Sequence, residues 1–83
     1  MNVFEKIEKI NSLHHLIKNE CTGNPLELAK RLGVSRSTLY NIIEELKLIE
    51  APISYSRRRE TFFYAKDFDF DINWSASLLD KDT

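Results

Sequence analysis

Apolar side chains recur along the first part of the chain at Val3, Ile7, Ile10, Leu13 and Ile17, with Phe4 and Leu16 beside them. Steps of three and four put them on one face of an α-helix. Glu5, Lys6, Glu8, Lys9 and Lys18 occupy the other side. Asn2 stands where a helix cap belongs, and Glu5 lies three residues later in capping-box position. The spacing predicts a helix of roughly 15–18 residues. Its expected end is near Cys21-Thr22-Gly23, where Gly23 can adopt the left-handed conformation that closes a helix. Asn24-Pro25 reads as a second start: Asn caps, and Pro fits the first helical position because its missing N–H has no intrahelical partner anyway. Leu28, Ala29 and Leu32 give a short helix its buried stripe, closed by Gly33. Val34-Ser35 then supplies an apolar residue and another cap. Leu39, Ile42, Ile43 and Leu46 continue as a third amphipathic helix to about Leu48. Ala51-Pro52 ends it, since the residue before a proline is driven to extended geometry.

Beyond that proline the period changes from 3.6 to 2. Ile53-Ser54-Tyr55-Ser56 alternates, and Thr61-Phe62-Phe63-Tyr64-Ala65 is rich in strand formers. Arg57-Arg58-Arg59-Glu60 lies between them without the Gly or Asn that a two-residue primed turn prefers, which favours a loop of about four residues. That connection pairs Tyr55 with Phe62 and Ile53 with Tyr64 on one face and turns Phe63 to the other. The expected fold is therefore mainly α with a small β-hairpin (α+β): a domain over residues 1–66, followed by an acidic and aromatic extension over 67–83.

The run from Pro25 to Glu44 carries the functional information. Ala29 is small where two helices approach closely, Gly33 permits a positive φ in a tight turn, and Leu28, Leu32, Val34, Leu39 and Ile42 fill the wedge between the helices. Such a crossing leaves the start of the second helix protruding, with Ser35, Arg36, Ser37, Tyr40, Asn41 and Glu44 on its outward side. A helix of that kind fits the major groove, its first residues closest to the base edges. This run resembles the helix-turn-helix of bacterial transcription regulators. With the hairpin behind it, the stretch from about Phe4 to Lys66 resembles a winged helix-turn-helix, and in particular the N-terminal DNA-binding domains of DeoR-type regulators. The shared spacing is Leu28-Ala29, Leu32-Gly33-Val34-Ser35 and Thr38-Leu39-Tyr40. Those regulators usually continue into a ligand-sensing or dimerising domain, which is not evident here.

The resemblance implies sequence-specific binding of double-stranded DNA by a small transcription regulator. Ser35, Ser37, Thr38 and the free N–H groups at the helix start suit phosphate. Arg36 reaches a phosphate or a guanine edge, and Asn41 can pair with adenine. Tyr40 suits a thymine methyl or a phosphate, with half-burial against the first helix as its other reading. Arg57, Arg58 and Arg59, at the tip of a hairpin behind such a motif, read as a wing gripping the backbone or minor groove. One module makes few contacts, so two copies on half-sites about one helical turn apart are expected from need. The rival reading is a winged helix serving as a protein-interaction module without DNA binding.

Composition narrows the rest. Eighty-three residues, 42% apolar and 30% charged, suit one small globular domain. One cysteine, Cys21, excludes an internal disulfide and a thiolate-rich zinc site, and it reads as a small apolar filler near a helix end. No apolar run approaches a membrane span and the first residues lack a signal-peptide layout, so the expectation is a reduced, cytoplasmic chain. His14-His15 point about 100° apart on a helix and read as one half-buried and one exposed histidine rather than metal ligands. No nucleophile–base pair or carboxylate dyad is visible, and neither a cofactor nor a small-molecule ligand is implied. The formal charge of −1 hides a division: residues 30–66 carry eight basic and four acidic side chains, while residues 67–83 carry one and five. A local basic field attracts phosphate whatever the total. In the extension, Phe68, Phe70, Ile72 and Trp74 are expected to cover either the domain itself or a second copy.

Overall fold

Asn2, Asn24 and Ser35 each turn a side-chain oxygen onto the backbone N–H three residues ahead, and a helix begins after each: α1 (Val3–Lys18), α2 (Pro25–Leu32) and α3 (Arg36–Leu48). At α2 the capping box is complete, because the Glu27 carboxylate also accepts the Asn24 N–H. The computed structural model describes residues 1–68. Its two remaining elements are β1 (Ile53–Ser56) and β2 (Thr61–Tyr64), an antiparallel pair in the register Ile53↔Tyr64, Ser54↔Phe63, Tyr55↔Phe62, Ser56↔Thr61. Three helices and a two-stranded sheet match the expected α+β fold, and the loop Arg57–Glu60 has four residues.

All three helices end in the same way. The N–H of Cys21 reaches the Leu16 carbonyl and that of Glu20 the Ile17 carbonyl; Val34 and Gly33 do the same to Ala29 and Lys30, and Ala51 and Glu50 to Leu46 and Lys47. Each end needs one left-handed residue. It is Gly33 after α2 (φ 70°), but Glu20 after α1 (φ 53°) and Glu50 after α3 (φ 68°). The first helix therefore closes three residues earlier than its expected stop at Gly23. Gly23 does hold a positive φ of 77°, but in the loop before α2, where a Cβ would lie 3.0 Å from that of Glu27.

The core gathers Leu13 and Ile17 of α1, Leu28, Ala29 and Leu32 of α2, Leu39, Ile42, Ile43 and Leu46 of α3, and Ala51, Ile53 and Phe62. Tyr55 crosses the hairpin to Phe62 with ring centroids 4.8 Å apart. The apolar stripe of α1 outruns this core, since Val3 and Phe4 are 65% and 59% exposed. Two further expectations are corrected. Cys21 is exposed rather than a filler, because the chain leaves the core at that helix end. His14 is fully rather than half buried: α1 packs on β2, and His14 Nδ1 lies 2.6 Å from the Tyr64 hydroxyl. Phe68 packs on the same domain, 5.0 Å from the Tyr64 ring and 6.4 Å from that of His14. Phe70, Ile72 and Trp74 lie outside the described residues. No helix among the described residues is long and apolar enough to cross a membrane.

Candidate nucleic-acid interface

Helix α3 buries Leu39, Ile42, Ile43 and Leu46. A 3.6-residue repeat then leaves Arg36, Ser37, Tyr40, Asn41 and Glu44 on the opposite side, and all five are exposed. Tyr40 is 46% exposed, its ring part covered and part open on that side. Thr38 is half-buried at the edge of the face. The hydroxyls of Ser35 and Thr38 are partly committed. Ser35 Oγ accepts the Thr38 N–H at 3.1 Å and donates to Thr38 Oγ1 at 3.0 Å.

The ends of the helices differ in charge. Glu5 and Glu27 sit in the first turns of α1 and α2, where a carboxylate offsets the positive pole of the helix dipole. The first turn of α3 has no acidic residue and opens on Arg36. First-turn N–H groups without intrahelical partners, the dipole and a guanidinium thus come together at the start of α3. Gly33 permits that start: at φ 70° it turns the chain out of α2 so that Ser35 can cap α3 two residues later. On the inner side of that turn, Lys9 Nζ comes within 3.5 Å of where a Gly33 Cβ would be.

The hairpin is docked by an interaction that sequence reasoning missed. Thr22, in the loop between α1 and α2, donates its N–H to Thr61 Oγ1 at 3.1 Å, and the Phe62 N–H returns to Thr22 Oγ1 at 2.8 Å. Both threonines are buried. Their hydroxyl protons go to the Gly23 and Phe62 carbonyls. Two threonines thus serve as a side-chain rung joining the loop to the first residues of β2. The rung lies at the tip end of the ladder, next to the Ser56–Thr61 pair, and the loop Arg57–Glu60 follows directly in solvent. Arg57 and Arg58 are exposed, and neither has an ion-pair partner among the described residues. Arg59 forms an ion pair with Glu20, and its guanidinium lies 5.2 Å over the Phe63 ring, covering the outward-facing aromatic.

A family model described as an HTH domain matches residues 8–61, which span α2, the turn, α3 and the hairpin up to the start of β2. The chain belongs to the helix-turn-helix domain family. Neither the curated proteins nor the solved structures gave a significant match. The family is one of DNA-binding regulators rather than enzymes, and the hairpin behind α3 makes this helix-turn-helix domain a winged one.

Proposed function

We propose that this domain binds double-stranded DNA sequence-specifically as a transcription regulator, with α3 in the major groove and the wing loop on the flanking backbone or minor groove. The observation that carries the reading is the outer face of α3. It is exposed and polar, unopposed by acid in its first turn, and held out by the Gly33 turn. Ser35, Ser37 and Thr38, with the first N–H groups of α3, meet a phosphate. Arg36 and Asn41 address guanine and adenine edges, and Tyr40 lies between them against a thymine methyl or the backbone. The loop of Arg57, Arg58 and Arg59 adds charge without sequence information. Two copies on half-sites about one helical turn apart supply the contacts that a single module lacks. Residues 1–66 form the binding domain, and the acidic and aromatic extension from Asp67 onward covers either that domain or a second copy.

Selection of binding sites from random duplex DNA tests this. The native chain enriches a short motif; Arg36→Ala and Asn41→Ala each relax one position of it, losing about 1–3 kcal/mol of discrimination there. Enrichment of no motif, or the same motif from both variants, contradicts the assignment of α3 as the reading helix.

A further inference from the structure

The three arginines of the wing are not equivalent. Arg57 and Arg58 project from the tip, whereas Arg59 is held at three points. Its guanidinium pairs with Glu20 and lies over Phe63, and its backbone N–H donates to Ser56 Oγ at 3.2 Å. Glu20 is itself presented by a constrained piece of chain. It holds a left-handed φ of 53° at the end of α1, with its N–H on the Ile17 carbonyl at 3.0 Å and the next N–H on that of Leu16 at 3.1 Å. One residue further on, the Cys21 carbonyl accepts Arg31 Nη1 at 3.1 Å, and Thr22 is bonded into β2. The carboxylate therefore stands on a turn tied to α1, α2 and the start of β2, and Arg59 reaches it from the adjoining tip loop. The threonine rung and the ion pair thus tie the tip end of the hairpin to the α1–α2 loop at two neighbouring points, and the ion pair is the one within the tip loop itself.

We propose that Glu20 and Arg59 are wing-positioning residues: the pair fixes the setting of the tip loop so that Arg57 and Arg58 meet the DNA backbone, and Arg59 is not itself a phosphate ligand. This rests on the DNA-binding reading given above. The Glu20 and Arg59 side chains are about half exposed (43% and 52%), so the pair adds little to global stability. Its loss shows in where the wing lies rather than in whether the domain folds.

Charge arithmetic makes the proposal testable by the sign of the effect. Glu20→Gln removes a negative charge beside a polyanion and frees a guanidinium, so bulk electrostatics calls for tighter binding. Positioning calls for the reverse, about fivefold weaker binding, the equivalent of a well-made exposed ion pair. The variant is isosteric and keeps the same left-handed backbone, and an unchanged melting temperature verifies its fold. The exchange Glu20→Arg with Arg59→Glu keeps the net charge and rebuilds the pair in reverse. Affinity for random duplex DNA at fixed salt is measured for the native chain and both variants. Weakening by Glu20→Gln with recovery in the double exchange supports positioning. Unchanged or tighter binding by Glu20→Gln, or a double exchange that binds more weakly still, overturns it and leaves the DNA-binding reading intact. A native chain that binds no duplex at low salt overturns both.

Discussion

Glu20 and Glu50 occupy the position after a helix at which a glycine would be free of strain, with φ of 53° and 68°. A side chain with a Cβ in that conformation costs about 1 kcal/mol or more. At Glu20 the carboxylate has an ion-pair partner in Arg59; at Glu50 no hydrogen bond or ion pair of the side chain offsets the cost among the described residues. Glu50→Gly is therefore expected to stabilise the domain by about 0.5 kcal/mol, which is what remains of the strain once the extra freedom glycine gives the unfolded chain is set against it. A urea midpoint shifted upward at constant m-value is the check, and an unchanged or lowered midpoint counts against the strain. These two residues also explain a misplaced helix end in the sequence reading. Gly33 announces its turn, because glycine is the usual left-handed closer, whereas a glutamate in the same conformation carries no mark in the sequence. Gly23 drew the expected end of α1 forward by offering the familiar signal three residues late.

Elements were legible where a repeating pattern met a cap. The stripes of α2 and α3, bounded by Asn24, Gly33 and Ser35, gave their limits and their outward faces, and the alternation of Ile53, Tyr55, Phe62 and Tyr64 gave the hairpin register. The placement of the hairpin was not legible. It depends on Thr22 and Thr61, which are far apart in sequence and belong to no periodic set; only their burial and reciprocal bonds reveal the rung. The α1 stripe misled in the other direction, since a helix face is written in the sequence but the reach of its cover is not. Val3 and Phe4 stay exposed where the core ends. Thr61→Val keeps the shape of the rung but leaves the buried Thr22 N–H without its acceptor, a loss of about 1–3 kcal/mol. Denaturant unfolding gives that loss, and faster hydrogen exchange at the Thr22 amide assigns it to the rung. A near-neutral substitution contradicts the idea that the two threonines dock the wing.

At the scale of the whole molecule, a formal charge of −1 coexists with a locally basic stretch, because the basic excess lies in residues 30–66 and the acidic excess in residues 67–83. Local field rather than total charge governs the approach of a phosphate backbone. The outer face of α3 was readable from sequence because the helix exposes what its core positions do not use. The unequal surroundings of the tip arginines were not, because the Arg59 ion pair depends on a carboxylate just past the end of α1. The central claim is that this face binds duplex DNA through α3 and the wing tip. Its most direct test is the salt dependence of binding to random-sequence duplex, compared between the native chain and Arg57→Ala with Arg58→Ala. The native chain is expected to lose affinity steeply with salt, and the double variant to follow a log–log slope shallower by about 1.8, or 0.9 for each phosphate contact removed. An identical slope in the two proteins, or no binding by the native chain at low salt, would contradict it.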